Sequence, residues 1–294
     1  MGNLTLRQLR YFDALSVQRH FGRAADVCAV SQPALSVQIK ELEQTLGTTL
    51  FERGHRQVRL TGFGETFSER VKDILRAVDE LEDLARAADG TFAGRLRVGV
   101  IPTIAPYFLP TFVGAMSGSY PELDIRIREA MTERLIQELS DGQLDLAIVA
   151  LPVSEETLTE RPLFDENLVL VRPIAQAGHP LPTIDELREM RLLLLEEGHC
   201  FRDQALSFCN LQTAVPRDGF DGSTLSTLVQ MVGAGMGVTL IPEMAIPVET
   251  GSAPVCVDRF EAPQPKRTVG MVWRKSNPLA DQFEKVAVLA AKMA

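Results

Sequence analysis

The sequence predicts an α/β protein with a small all-α head at its N-terminus, a long linker helix and a body of two α/β halves. Three observations lead there. Residues 22–47 read as a short helix, a tight turn and a capped helix. Residues 67–88 repeat apolar side chains every 3.5 positions, and from Arg95 onward period-2 strand patterns alternate with helical ones. The length of 294 residues suits two or three units of ~100–150 residues each.

In the head, Leu6, Leu9, Phe12 and Leu15 recur at helical spacing. Gly22 to Cys28 is a short Ala-rich segment, and Ala29-Val30 makes a tight connection. Ser31 is a good N-cap, and Pro33 falls in the first helical turn, where its missing N–H does no harm. Leu35, Ile39, Leu42 and Leu46 form one apolar face, and Gly47 ends the helix. The result is a helix-turn-helix. Its second helix presents Ser31, Gln32 and Ser36 at an end that can approach base edges in a major groove, where a Gln can read adenine bidentately. FERGHRQVRLT then carries Arg53, Arg56 and Arg59 on an apparent hairpin, a wing suited to phosphate contact. The plain alternative is a helical hairpin with a solvated polar face.

The net charge of −9 argues at first against nucleic acid, but its distribution does not. Residues 1–62 hold 8 Lys/Arg against 5 Asp/Glu, whereas residues 63–93 hold 4 against 8. A basic head thus sits on an acidic body. No apolar run approaches the ~20 residues a membrane span needs. The opening MGNLTLRQLRYFD has no apolar signal core followed by a cleavage site, so a soluble cytoplasmic chain is expected. Four cysteines do not make a secreted disulfide framework.

In the linker, Phe67, Val71, Ile74, Val78, Leu81, Ala85 and Ala88 alternate at spacings of four and three. That is a coiled-coil seam over three heptads with charged outer faces, and it predicts pairing with a second chain. The alternative is a single helix packed on its own protein. In the body, RLRVGVI (95–101), LDIRIREA (123–130) and LDLAIVA (144–150) are strand-like, with helical stretches between, which implies parallel pairing through right-handed crossovers. A second set follows: LVLVRP, RLLLLEE, a helix near 223–234 and VTLIP. RTVGMVW (267–273) and a helix near 278–292 close the chain. Two such halves would form a cleft.

The segment EEGHCFRDQALSFC (196–209) holds Cys200 and Cys209 with His199, Arg202 and Asp203 beside the first. FRDQALSFC reads as helical, with Phe201, Ala205 and Phe208 on one side. Nine residues of helix rise ~13 Å, while a disulfide needs Cα atoms about 4.4–6.8 Å apart. The two thiols therefore cannot join while the helix is intact. A helix N-terminus with His199 and Arg202 nearby suits a reactive thiolate at Cys200. Spacing alone leaves three other readings open: two packing cysteines, a metal site without the usual close ligand spacing, and a cysteine nucleophile without a clear triad. Cys28 and Cys256 read as packing residues.

The run AADVCAVSQPALSVQIKELEQTLGTTLFER (24–53) resembles the winged helix-turn-helix of LysR-type transcriptional regulators, through SQPALS, the IKELE run, the LG stop and the LFER ending. The resemblance extends over the whole chain. It implies DNA contacts from Gln32, Pro33 and Ser36, with Arg53 near phosphate. It also implies a linker helix that pairs two subunits, and a periplasmic-binding-protein-like effector domain whose last strand and helix return to the first half. The expected domains are 1–62 (DNA binding), 63–90 (linker and dimerisation) and 91–294 (regulatory). Within the last, subdomain I takes about 95–164 and 267–294, and subdomain II about 165–266.

LLLLEEGHCFRDQALSFC further resembles the redox segment of the peroxide-sensing branch of that family. This implies that Cys200 is the peroxidatic cysteine and Cys209 the resolving one. It also implies a peroxide pocket lined by Thr103 of GVIPT and Thr132 of REAMT, with His199 and Asp203 flanking the thiol and Arg267 of KRT supporting it. The pattern departs at Met131, where some relatives have Gln, and 210–219 is poorly matched. The implied partners are promoter DNA, hydrogen peroxide, RNA polymerase, and glutaredoxin or thioredoxin as reductant. A homodimer through the linker helix, assembling to a homotetramer, is expected, with no cofactor, metal or membrane. Such a chain would be a nucleoid-associated activator rather than an enzyme. Two other classes stay open: a LysR-type regulator responding to a small metabolite in the cleft, and a thiol peroxidase. A ligand-induced rise in melting temperature with indifference to peroxide would mark the first, and sustained turnover with a reductant the second.

Overall fold

The computed structural model describes residues 4–53, 58–88, 92–208 and 221–293. They form two compact units, Met1–Ala85 and Arg86–Ala294.

The first unit begins with α1 (Leu6–Gln18), which Thr5 caps in a reciprocal bond pattern with Gln8. Leu9, Tyr11, Phe12 and Leu15 are buried, but Leu6 is exposed, because as the first helical residue it stands outside the packed turns. Helix α2 (Phe21–Val27) is capped by His20, whose Nδ1 accepts from the backbone N–H groups of Gly22 and Arg23 at 3.1 and 3.3 Å. The turn passes through Ala29 at φ 53°. Helix α3 (Gln32–Leu46) starts on Ser31, whose hydroxyl accepts from Ala34 N–H, and ends on Gly47 at φ 69°. Leu35, Ile39 and Leu42 are buried, and Leu46 is half-buried at the end of that face. Each fully buried side chain of this size stabilises by ~1.5–3 kcal/mol, an upper figure given a partly collapsed unfolded state. Strands β1 (Phe51–Arg53) and β2 (Val58–Leu60) form the antiparallel wing. Helix α4 (Gly62–Ala88) follows. The Phe12 ring lies 5.2 Å from Phe51 and 5.0 Å from Phe67, tying α1 to the wing and to α4. Val71 completes this core. Further along α4 the seam residues Ile74 and Leu81 are 45% and 65% exposed.

The second unit opens with β3 (Gly94–Val100), α5 (Ala105–Ser119), β4 (Leu123–Glu129), α6 (Thr132–Ser140) and β5 (Leu146–Leu151). β3 pairs in parallel with both β4 and β5, as the alternation of strand and helix requires. Then comes β6 (Leu158–Pro173), followed by α7 (Ile184–Glu189), β7 (Leu194–Leu195), α8 (Cys200–Phe208), β8 (Asp221–Gly222), α9 (Leu225–Gly233), β9 (Thr239–Pro242), α10 (Ile246–Glu249) and β10 (Val255–Asp258). β11 (Lys266–Arg274) and α11 (Ala280–Ala290) end the order. β11 lies antiparallel between β5 and β6, and Phe283, Val286, Ala287 and Ala290 of α11 join the core of β3 to β5. The last strand and helix thus return to the first half.

Two features differ from expectation. LVLVRP is only the second part of the 16-residue β6, which pairs with β11 up to Asn167 and with β9 and β10 from Leu168 onward. One strand therefore runs through both halves. The second half is also not a parallel set: β9 and β10 are antiparallel to β6, and RLLLLEE contributes only the two-residue β7, parallel to β8. Leu193, Leu194 and Leu195 are nonetheless buried, so the apolar run is a core segment more than a strand. Each half has its own apolar core.

Candidate functional site

Cys200 is the first residue of α8 and stands where the two cores meet. Its side chain packs against the core of the first half, while Phe201, one residue on, is buried in the core of the second. The approach to the helix turns on Gly198 at φ 94°, a conformation that costs an L-residue with a Cβ about 1–2 kcal/mol. The Arg202 guanidinium then donates to the Leu195 carbonyl at 2.7 Å, pinning the turn to the end of β7. Ala205 is buried on the same side of α8 as Phe201, and the Phe208 ring meets Phe260 at 4.9 Å, as the helical reading of FRDQALSFC requires.

A narrow pocket surrounds the thiol. Thr103, Thr132, His199 and Cys200 line it together with Ile101, Pro102, Met131, Gly198 and Phe201, and it leaves no free space for a water-sized sphere. Two polar atoms in its wall lack a hydrogen-bond partner among the described residues: Thr132 Oγ1 and His199 Nε2. Buried polar groups are normally paired, and each exception calls for a reason. Here a small ligand with both donor and acceptor capacity would satisfy them. His199 is 4% exposed, and burial pushes its pKa below the ordinary histidine value against the opposing charge of Glu196, so the ring is neutral near pH 7.

Thr103 is held differently. Arg267 donates to its hydroxyl through Nη1 at 2.8 Å and to its carbonyl through Nη2 at 2.9 Å. With a lone pair of Oγ1 so engaged, the hydroxyl proton of Thr103 is free for donation. Arg267 does not line the pocket; it stands behind Thr103, its guanidinium 5.4 Å over the Phe201 ring. Its Nε donates to Glu166 at 2.7 Å, and both side chains are almost wholly buried, at 0% and 4% exposed. The other oxygen of Glu166 accepts from the Met244 N–H at 3.0 Å. Glu166 was missed by the sequence reading. The one signal was an acid in an alternating strand beside apolar neighbours.

Asp203 lies on the exposed side of Cys200, where both residues line a wider cleft of about 750 Å³ with Thr132 and Gly198. Cys209, Arg56 and the segment 210–219 lie outside the described residues, as does the side chain of Arg53. Gln32 and Pro33 are exposed and Ser36 is half-exposed on the first turns of α3; Arg59 of β2 is also exposed. Of the remaining cysteines, Cys256 contacts the Pro173 carbonyl at 3.5 Å, and burial, then the charge of Asp13, pushes the Cys28 thiol up. No group of three or more His, Cys, Asp or Glu placed to hold a metal occurs among the described residues. No helix of the described residues is long and apolar enough to cross a membrane.

The model of the bacterial regulatory helix-turn-helix protein, lysR family, matches residues 6–65, and that of the LysR substrate binding domain matches 89–291. The chain is 40% identical over 286 residues to the hydrogen peroxide-inducible genes activator of Pectobacterium carotovorum subsp. carotovorum, covering 97% of this chain and 95% of that protein. It is 40% identical over 290 residues to the DNA-binding transcriptional dual regulator OxyR of Escherichia coli (strain K12), covering 97% and 94%. The chain belongs to the LysR family, in its OxyR group. Solved OxyR structures agree. A full-length OxyR variant from Pseudomonas aeruginosa superposes with a TM-score of 0.77 at 36% identity, covering 99% of this chain and 95% of that one. A hydrogen-peroxide-bound OxyR mutant from Corynebacterium glutamicum gives 0.67 at 35%, covering 99% and 93%. The helix-turn-helix with its wing and the two-halved α/β unit are therefore the LysR architecture.

Proposed function

We propose that this OxyR-group chain is a hydrogen-peroxide-sensing, DNA-binding transcriptional activator in which Cys200 is the reacting thiol and Cys209 its resolving partner. The observation that carries the reading is the pocket: a thiol beside two unpartnered polar atoms, Thr132 Oγ1 and His199 Nε2, and beside a Thr103 hydroxyl held by Arg267. Peroxide has two oxygens, each both donor and acceptor, and fits that set once the pocket opens by a side-chain movement. The Cys200 thiolate attacks one oxygen. The S–O bond forms, the O–O bond breaks, and its electron pair leaves on the second oxygen, which takes a proton and departs as water. The Thr103 hydroxyl, polarised by Arg267, is placed to hydrogen-bond that departing oxygen.

The Cys209 thiol then attacks the sulfenic sulfur; a disulfide forms and a second water is lost. Phe208, the last described residue of α8, lies eight residues after Cys200, ~12 Å along a helix, so α8 must unwind for the sulfurs to meet. A nine-residue helix is too short to be stable alone and depends on Phe201, Ala205 and Phe208 for its packing. It is a two-state element coupled to a covalent event. Unwinding α8 also withdraws Phe201 from beneath Arg267 and loosens the junction of the two halves. Head residues 1–62 carry DNA contacts at Gln32, Pro33, Ser36 and Arg53; residues 63–90 pair two subunits; residues 91–294 sense. Repacking of the sensing part changes the arrangement of a dimer-based tetramer, and with it the spacing of the heads and their contact with RNA polymerase. Glutaredoxin or thioredoxin restores the dithiol. The chain acts in the cytoplasm on the nucleoid and consumes peroxide once per reduction cycle, as a sensor and not as a peroxidase.

The test is footprinting of the reduced full-length protein on a target promoter before and after peroxide. The wild type is expected to change its footprint, and Cys200→Ser to bind with the reduced footprint and not respond. A normal peroxide response in Cys200→Ser would defeat the reading.

A further inference from the structure

The wide cleft in front of Cys200 is lined by three carboxylates, Glu133, Glu155 and Asp203, and by no Lys or Arg among the described residues. All three are exposed, and none of them forms an ion pair with a described residue. The cleft shares Thr132, Gly198 and Cys200 with the narrow pocket, and there the deeply buried His199 leaves Nε2 without a partner. A reagent in the cleft thus faces three carboxylates that have no ion-pair partner among the described residues, beside polar atoms that await a ligand. The cations nearest in sequence are turned away from the lining: Arg134 shares Glu138 with Arg128, and Arg202, which keeps its charge, reaches back to the Leu195 carbonyl.

We infer that Glu133, Glu155 and Asp203 form a charge filter, which admits neutral oxidants such as hydrogen peroxide to Cys200 and slows anionic ones. This rests on the assignment of Cys200 as the reactive thiol. Two unit charges ~10 Å apart in water change an encounter about twofold at low ionic strength, and less as salt screens them. Three carboxylates acting together amount to about four- to eightfold discrimination. Both reagents react with the same thiolate, so its population cancels in a ratio of rates. Selection at the mouth is therefore separable from reactivity at the sulfur.

The experiment measures alkylation of Cys200 in the reduced full-length protein by iodoacetamide, which is neutral, and by iodoacetate, its anionic counterpart. In each case the sulfur displaces iodide. Labelling is followed by mass spectrometry of the Cys200 peptide, with N-acetylcysteine as the reference thiol. The iodoacetamide-to-iodoacetate rate ratio at Cys200 should exceed the reference ratio by about fivefold at low salt and fall toward it as salt rises. In Glu133→Gln/Glu155→Gln it should drop about threefold. A ratio equal to that of the reference, indifferent to salt and to the double substitution, would overturn the filter. The salt titration of the wild type decides the matter even if the variant folds poorly. Peroxide oxidation measured on the same samples separates the two ideas: a Cys200 no faster with peroxide than N-acetylcysteine defeats the sensor reading, whatever the alkylation ratio.

Discussion

Replacing Glu166 with Ala removes the one anionic partner that Arg267 has among the described residues, at a site where both side chains are buried. The guanidinium would keep its two bonds to Thr103 but lose the 2.7 Å contact at Nε, and its charge would stand uncompensated. Breaking such a pair costs ~3–5 kcal/mol, and the Met244 amide left without its acceptor adds ~1 kcal/mol. Allowing for the bonds to Thr103 that persist, the expected loss is about 4 kcal/mol. For a unit of this size each kcal/mol lowers Tm by ~2–4 °C, so the fall should be about 8–16 °C. Trp273, the single tryptophan, is buried on β11, the strand that carries Arg267, and its fluorescence reports the transition directly. Replacing both partners, Glu166→Leu with Arg267→Met, should recover most of the loss, since an apolar pair of similar volume fills the same space without a buried charge. The reasoning is refuted if Glu166→Ala lowers Tm by less than ~2 °C, or if the double substitution is as unstable as the single one.

Other expectations follow from the same geometry. Thr132→Val removes a buried hydroxyl that has no partner among the described residues, so stability should hold or rise by up to ~1 kcal/mol, while peroxide oxidation of Cys200, followed by thiol trapping, slows about tenfold. A loss of stability with unchanged reactivity would contradict that role. Burial lowers the pKa of His199 in the folded state, so below the unfolded histidine value of ~6.5 the unfolded chain binds the extra proton first. Stability is therefore full above ~pH 6.5 and declines as pH falls toward the folded pKa; His199→Gln should flatten that part of the denaturation profile. Leu81→Lys places a charge on an exposed position of α4 and should split the proposed linker-helix dimer in analytical ultracentrifugation while leaving the helix-turn-helix core intact.

Local chemistry made the head readable. Ser31 and Gly47 bracket α3 because a hydroxyl cap and a left-handed glycine act within one turn of the chain. The same logic was present, and overlooked, at Thr183 and Glu186, which form the capping box of α7. Long-range pairing was less legible. LVLVRP read as a strand by itself, yet it is the second part of the longer β6, because β11 and then β9 and β10 supply partners from 68 to 116 residues downstream. No periodicity in β6 says that its neighbours run antiparallel. At the site, the resemblance at GVIPT, REAMT and GHC named Thr103, Thr132 and His199, which share the narrow pocket with Cys200, whereas Asp203 faces the wider cleft and Arg267 stands behind Thr103. What motifs do not carry is the support: Glu166 acts through Arg267, and its place is set by the register Arg267↔Glu166 between β11 and β6.

The most direct test of the account is to treat the reduced, purified protein with a slight excess of hydrogen peroxide, trap the free thiols with an alkylating agent, and map the cysteine peptides by mass spectrometry. The account predicts a Cys200–Cys209 disulfide forming within seconds to minutes, with Cys28 and Cys256 still alkylated. Cys200 and Cys209 both remaining free, in protein that is folded and binds DNA, would contradict it.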